Sequence, residues 1–523
     1  MPSARPAALL SLSDRTGLEP LARALAQHGY RLVATAGTAA AVREIGLEAE
    51  EVGDLTGFPP LLDGRVKTLH PKIMAGILAD ESKPTHTAEL HAHGIAQFKV
   101  VAVNLYPFER TIARAGATES EVIEQIDIGG VTLLRAAAKN YGSVSVLLDA
   151  ASFEDFVEAL ERGGPGLPER RRWAAAAFAR CEQYDAAIAR YFASAAGDDE
   201  LPDTLHVDLP LASRLRYGEN PWARAAFYVG RSVQIPAQLS GKTLSYNNLL
   251  DVDSCLRLLA PVEEPRGFPA TARSARRAMA AIVKHTVPSG VAARATPLDA
   301  LSAALGADPI SAFGGIVACN VPIDAPAAEL LHSRFLEVVA APGFEPAALE
   351  ILRKKKNLRV LQFDRDLPSR LLAAAKVRSA LGGVLLEYPD PAAAPDEWRV
   401  VTERRPTDAQ WRDMLFGFGV VRQVKSNAAV VIGDELTLGI CGGQTNRVAA
   451  VELACQRAGD GAMGAVLATD GFFPFSDGIE AAARAGIGAV VAPSGSIRDE
   501  EVIAAARSLG VALVFTSRRY FLH

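Results

Sequence analysis

Short apolar runs alternate with Ala-rich helical stretches along almost the whole chain, and this alternation limits the possible folds more than any other feature. Ala7–Leu12 reads as a strand, Glu19–His28 as a helix, Arg31–Thr35 as a strand and Ala39–Gly46 as a helix. Val100–Leu105 and Val144–Leu148 read as further strands, and Leu167–Ala195 as one long helix. Near the carboxyl end the order is a helix at Arg447–Arg457, a strand at Ala465–Thr469 and a helix from Gly478. A strand at Ala489–Ala492, a helix at Asp499–Leu509 and a strand at Val511–Phe515 follow. Strands separated by helices point to α/β layers with largely parallel sheets.

A chain of 523 residues is long enough for about three to four domain-sized units. The polar stretch Ala196–Asp203 contains both Gly197 and Pro202 and marks the main boundary, giving domains 1–199 and 200–523. A softer boundary is expected near 363–373, around Pro368. No short repeat stands out. The formal net charge of −5 supplies no overall basic field, which argues against nucleic acid or an anionic membrane as partner. No segment approaches the apolar length of a membrane span, and the lead from Met1 to Leu10 is too short for a signal peptide. Cys181, Cys255, Cys319, Cys441 and Cys455 are odd in number and scattered, unlike a disulfide framework. A reducing cytoplasm is the expected location.

Three motif matches fail on inspection. Gly241-Lys242-Thr243 resembles the end of a P-loop, but Pro236 stands where its first glycine belongs. Gly459–Gly464 fits Gly-x-Gly-x-x-Gly but follows a helix and precedes a strand, the reverse of a dinucleotide-binding turn. His91 and His93 have no third ligand nearby, and no zinc-deaminase signature is present, so no metal is expected.

In the first domain, polar clusters sit where strands should end. Ser11–Gly17 follows the first strand, and Thr35–Thr38 follows the second and opens a helix. Hydroxyls and free amides at a helix start suit a phosphate, although helix capping by Ser13, Asp14 or Thr38 would use the same groups. Two such clusters at the carboxyl ends of strands favour the phosphate. Arg65-Val66-Lys67-Thr68-Leu69-His70-Pro71 adds two cations beside Thr68. Asn104–Phe108 follows, then Gln125–Gly130, where Asp127 precedes a Gly pair over a helix start. Lys139 lies four residues after Arg135, on one face of a helix.

In the second domain, Arg216–Pro221 and Ser245–Asp251 lead to Ile282-Val283-Lys284-His285-Thr286-Val287-Pro288. A strand that ends in Lys-His brings both side chains to a sheet edge. An ammonium beside an imidazole disfavours the imidazolium form and leaves a neutral base. Lys284 and His285 are therefore expected at the centre of a site acting on a phosphorylated, nucleotide-like molecule. Neighbours on a regular strand face opposite ways, so a shared site requires an irregular strand end.

These motifs, with Asp308–Gly315, Lys425-Ser426-Asn427, Phe472–Asp477 and His523, make the chain resemble the PurH family of bifunctional purine biosynthesis enzymes. The likeness runs over essentially the whole chain. It implies a methylglyoxal-synthase-like first domain and a formyltransferase half of two cytidine-deaminase-like α/β subdomains. The implied reactions are formyl transfer from 10-formyltetrahydrofolate to AICAR, giving FAICAR, and ring closure of FAICAR to IMP.

By the same resemblance Lys67, Tyr106, Asp127 and Lys139 are catalytic in the cyclisation. Ser11, Ser13, Arg15, Thr38, Arg65, Thr68 and Asn104 would hold its substrate. Lys284, His285 and Asn427 would be catalytic in formyl transfer, with Asn427 orienting His285. Arg216, Tyr217, Asn248, Phe313, Gly314, Glu337, Arg447, Phe472, Asp477 and His523 would shape those pockets, with Arg447 in the phosphate site. The family usually has Lys at Arg15, His at Trp222, Gly at Cys441 and Ser at Asn446. The resemblance further implies a homodimer and no metal. An alternative stays open, in which one activity is lost and the first domain senses nucleotides.

Overall fold

A computed structural model of the chain describes residues 5–195, 201, 204–205, 207–230, 233–273, 277–389 and 396–523. It divides into two compact units, Met1–Asp208 and Leu209–His523. The expected boundary at 196–203 lies, apart from Leu201, outside the described residues.

The first unit is built on five parallel strands: β1 (Ala7–Leu12), β2 (Arg31–Ala34), β3 (Glu50–Glu51), β4 (Phe98–Asn104) and β5 (Ser145–Leu147). They lie in the order β3-β2-β1-β4-β5. Parallel strands are covered on both faces and so read as unbroken apolar runs. In β1, Ala7 to Leu10 are fully buried. The helix Ala36–Glu44 starts three residues earlier than expected, directly after the extended Thr35. The Leu167–Ala195 helix buries Trp173, Ala177, Cys181 and Tyr184 at intervals of three or four, which places one face on the core.

The second unit corrects the expectation of largely parallel sheets. β6 (Leu211–Leu215) and β7 (Ala225–Tyr228) form a separate hairpin. The main sheet begins with β8 (Ala237–Ser240), β9 (Ala278–Lys284), β10 (Val287–Arg294), β11 (Ile316–Cys319), β12 (Val338–Ala341) and β13 (Arg359–Gln362). A second hairpin, β14 (Lys376–Ala380) with β15 (Gly383–Glu387), stands apart. The sheet is completed by β16 (Trp398–Val400), β17 (Ala429–Gly433), β18 (Leu436–Cys441), β19 (Val466–Thr469), β20 (Ala489–Pro493) and β21 (Ala512–Thr516).

These twelve strands run β16-β21-β20-β19-β17-β18-β10-β9-β11-β12-β13-β8. The order is a duplication. In each half an antiparallel hairpin (β9–β10 or β17–β18) continues into three parallel strands and ends on an antiparallel edge strand. The halves meet through β10 and β18, which pair at Ala292 and Leu436. Two-residue turns join the hairpin strands and can only make antiparallel neighbours, which is why the centre of the sheet departs from the parallel pattern. The expected soft boundary at 363–373 falls in the connection between the halves, where the helix Leu367–Ala373 lies. All five cysteines are buried and free. No helix among the described residues is long and apolar enough to cross a membrane.

Candidate active sites

In the first unit the polar clusters gather at the carboxyl edge of the parallel sheet. Leu12 of β1 is in register with Asn104 of β4, and the strand order reverses between them. Open α/β sheets bind ligands at such a switch point. Asn104 Oδ1 accepts from the backbone N–H of Ser13 at 2.6 Å and of Asp14 at 3.0 Å. The Ser13 hydroxyl lies 2.8 Å from the Leu105 carbonyl. Arg15 Nη2 donates to the Gly37 carbonyl at 3.0 Å and so bridges the two loops expected to grip a phosphate. Thr38 is 1% exposed and its Oγ1 accepts from Leu12 N–H at 3.0 Å, so it ties β1 to the next loop from inside. Arg65 is ion-paired with Glu124 at the surface.

Deeper in this unit three side chains converge. Lys67 Nζ donates to Tyr106 Oη at 2.9 Å. Asp127 Oδ1 accepts from Gly130 N–H at 2.7 Å, at the start of the helix Gly129–Lys139. Burial pushes the Asp127 carboxyl above the usual carboxylate range, opposed by the Gly130 and Tyr106 backbone and by the Lys67 charge. A side chain at either glycine would displace its neighbours. A Cβ on Gly130 would stand 2.4 Å from Asp127 Oδ2, and one on Gly129 would stand 2.7 Å from Thr68 Oγ1. No hydrogen bond joins Lys139 to Lys67, Tyr106 or Asp127 among the described residues. Lys139 ends the same helix, about 15 Å from its start at 1.5 Å per residue.

Tyr184 is a contributor that no motif indicated. From the long helix its Oη accepts from Asp127 N–H at 2.9 Å and donates to the Gln125 carbonyl at 2.6 Å. Burial pushes its phenol up to about 12, so it remains a donor.

In the second unit, β9 ends at Lys284 and β10 begins at Val287. His285 and Thr286 form the turn between them, both left-handed at φ 56 and 62. This is the irregular strand end a shared site requires. Lys284 Nζ donates to the Phe313 carbonyl at 2.8 Å, and His285 is exposed. Gly314, at φ 72, follows Phe313 and leads into β11, whose Ile316 pairs with Val283.

The same edge gathers the other expected groups. Val338 of β12 pairs with Ile316, so Glu337 sits at this end. Glu337 accepts from Asn248 Nδ2 at 2.8 Å and faces Arg359 at 3.5 Å. The Ala292–Leu436 register brings the end of β18, at Cys441, level with the start of β10. Arg216 and Tyr217 follow β6 and bond each other at 2.9 Å. Asn247 Nδ2 reaches the Glu219 carbonyl at 3.4 Å and ties that loop to the same edge.

Three expected residues make bonds within the protein. Asn427 Nδ2 donates to the Gln444 carbonyl at 2.9 Å, and no bond to His285 occurs among the described residues. Arg447 is 5% exposed; its Nη1 donates to Asp470 Oδ1 at 2.6 Å and to the Ala428 carbonyl at 2.7 Å. It is thus the inner cation of a buried ion pair. Asp477 Oδ1 accepts from Gly478 N–H at 2.8 Å at its own helix start. Phe472 is half-buried, and His523 lies edge-on to Phe521 with ring centroids 6.1 Å apart.

Asp251 closes the Ser245–Asp251 motif, and no sequence pattern gives it a role. From the helix Tyr246–Leu258 its carboxylate accepts from Thr286 N–H at 2.6 Å and His285 N–H at 3.3 Å. Burial raises its carboxyl, opposed by those two amides and by His285.

A family model described as AICARFT/IMPCHase bienzyme matches residues 137–457, and one described as MGS-like domain matches residues 17–132. The chain is 48% identical to the bifunctional purine biosynthesis protein PurH of Chloroflexus aurantiacus, over 99% of this chain and 98% of that one. It is 46% identical to the protein of the same name from Synechococcus elongatus and 44% identical to that from Anoxybacillus flavithermus, over 99% of both chains in each case.

Proposed function

The chain belongs to the AICARFT/IMPCHase bienzyme family, and from that premise we propose how its two units divide the chemistry. It is a bifunctional enzyme of purine biosynthesis, an AICAR formyltransferase with a folate co-substrate and an IMP cyclohydrolase. In this reading residues 1–199 carry the cyclisation and residues 200–523 carry formyl transfer from 10-formyltetrahydrofolate. The working form is a cytoplasmic homodimer. Ile310 at 87%, Phe313 at 64% and Phe335 at 58% exposure leave apolar surface near Lys284 that a folate ring or a second copy would cover.

Formyl transfer needs a base and a cation. The 5-amino group of AICAR is delocalised into its imidazole ring and must lose a proton as it attacks the formyl carbon. His285 takes that proton, a role worth about 10²- to 10⁴-fold; the bond from the formyl carbon to the folate N10 then breaks, and N10 leaves with a proton as tetrahydrofolate. Lys284 keeps free N–H donors beyond the one given to Phe313 and steadies the developing oxyanion. Asn248 and Glu337 fix the neighbouring wall. Arg447 supports the edge through Asp470 rather than touching phosphate.

Cyclisation joins the carboxamide nitrogen of FAICAR to its formyl carbon and expels water. An amide nitrogen is a poor nucleophile, so a carboxylate with raised basicity is useful, and Asp127 has it. The Lys67–Tyr106 pair faces the formyl oxygen and supplies protons. Ser11, Ser13, Arg15 and Thr68 line the approach for the ribose phosphate, while Thr38 and Asn104 hold the loops that present it.

The observation that carries this reading is that each unit has its own lysine-centred cluster at a sheet edge. His285→Ala should lower AICAR formylation by at least about 100-fold and leave FAICAR cyclisation intact. Equal loss of both activities would argue against separate sites.

A further inference from the structure

The duplicated sheet contains the Asp251 clamp twice. In the second half, Asp413 of the helix Asp408–Val421 accepts from Glu435 N–H at 2.6 Å and Asp434 N–H at 3.1 Å. In the first half, Asp251 accepts from Thr286 at 2.6 Å and His285 at 3.3 Å. Asp434 and Glu435, at φ 51 and 50, are left-handed like His285 and Thr286. Both helices open with a capping box, Ser245 with Asn248 and Thr407 with Gln410. Beside each turn stands a left-handed glycine, Gly314 at φ 72 and Gly464 at φ 73.

The two copies differ in what the turn carries. Gly433 pairs with Leu436 as Lys284 pairs with Val287, so the second copy has Gly-Asp-Glu where the first has Lys-His-Thr. The backbone device is therefore kept without the chemistry. A two-residue hairpin turn with both φ positive is normally made by Asn-Gly or Gly-Gly. His285 and the β-branched Thr286 take it against their own preference. A half-buried carboxylate bonded to both turn amides over-determines that conformation.

We propose that Asp251 is a positioning residue for formyl transfer: it holds the His285–Thr286 turn left-handed, so that His285 leaves the strand on the side where Lys284 reaches Phe313. This rests on the assignment of Lys284 and His285 to formyl transfer. Asp413 does the same for the backbone of the second copy, whose turn holds no reacting group. Nature has thus supplied the control. A merely structural carboxylate would matter equally in both halves, whereas a positioning one matters to transfer only in the first.

The test compares Asp251→Asn, Asp413→Asn and His285→Ala in the full chain, measuring kcat and KM for AICAR and for the formyl donor. Melting midpoint and FAICAR cyclisation report folding. Asp251→Asn should lower kcat for formyl transfer by about 10- to 100-fold, the scale of a displaced catalytic group, with both KM values within about threefold. Asp413→Asn should leave kcat within about twofold at a similar loss of melting midpoint, because the turn it holds carries no reacting group. Asp251→Glu keeps the charge but moves the acceptor, and should fall between wild type and Asp251→Asn. It takes the place of Asp251→Asn should that variant fail to fold.

Equal effects of Asp251→Asn and Asp413→Asn on kcat would overturn the inference. So would an unchanged kcat in Asp251→Asn while His285→Ala abolishes transfer. If His285→Ala itself keeps transfer, the assignment of His285 falls first and this inference falls with it.

Discussion

Asp127 lies two residues before the helix Gly129–Lys139, and Lys139 ends that helix, about 15 Å along the axis from Gly129. Lys67, by contrast, bonds Tyr106 beside the Asp127 carboxylate. The two lysines that family likeness puts in one role thus sit in different settings, one bonded to Tyr106 and one at a helix end. Lys139 is exposed at the helix carboxyl end, where a cation complements the helix dipole.

Lys67→Met should accordingly reduce FAICAR cyclisation by about 10²- to 10³-fold, the scale of removing one charged donor. Lys139→Met should reduce it by less than about tenfold. Initial rates of IMP formation at saturating FAICAR decide between them. Comparable losses would mean that Lys139 reaches the reacting atoms by a route this arrangement lacks.

A second prediction concerns pH. Burial raises the folded pKa of Asp127 above its unfolded value of about 3.9. The folded state then holds that proton more tightly than the unfolded chain. The resulting stabilisation is complete below the unfolded pKa and is lost as pH rises through the folded one. Asp127→Asn does not titrate, so the melting midpoint of wild type relative to the variant should fall as pH increases from the carboxylate range towards neutral. A relative midpoint that climbs instead would mean that pairing with Lys67 outweighs burial. The same substitution should abolish cyclisation, a trade of stability for function.

Much of the first unit could be read from the sequence because a parallel sheet covered on both faces leaves unbroken apolar runs such as Ala7–Leu12. The second unit was less legible. Its sheet direction depends on two tight turns, His285–Thr286 and Asp434–Glu435, and neither contains the glycine or asparagine that signals such a turn. The Lys284–His285 pair was visible as chemistry, but its shared edge was not, because that rests on the same left-handed turn. Asp251 and Tyr184 act through backbone amides far away in sequence, and no spacing rule reports such contacts. Arg447 opens a helix after a glycine turn, which suits a phosphate; its burial against Asp470 is a tertiary fact that no sequence pattern reports.

Close packing at the Asp127 loop gives a third prediction. A Cβ on Gly130 would meet Asp127 Oδ2 at 2.4 Å and Leu105 Cδ2 at 2.9 Å, so the carboxylate must move. Displacement by about 1 Å is enough to cost on the order of 100-fold in rate. Gly130→Ala should lose cyclisation on that scale and retain AICAR formylation. Gly142 has open space around its Cβ position, and Gly142→Ala should leave both activities unchanged. Full cyclisation in Gly130→Ala would show that the loop yields without moving the carboxylate.

The Arg447–Asp470 pair gives the last prediction. The side chains are 4% and 0% exposed, and Asp470 also accepts from Ala428 N–H at 2.8 Å and bonds the Ser426 hydroxyl. Through Leu522 N–H on Ser426 Oγ and Tyr520 N–H on the Asp470 carbonyl, the same network pins the carboxyl-terminal tail. Removing one partner leaves an uncompensated buried charge, which costs about 3–5 kcal/mol. Arg447→Met should therefore lower the unfolding free energy of the second unit, read from its urea transition, by that amount, with little dependence on salt, because buried pairs are weakly screened. Arg447→Met with Asp470→Leu removes both charges and should recover only part of the loss, since Ala428 N–H and the Ser426 hydroxyl are left without their acceptor. If Arg447 instead gripped the substrate phosphate, Arg447→Met would raise the KM for AICAR with an unchanged urea midpoint. That outcome would return it to the binding site.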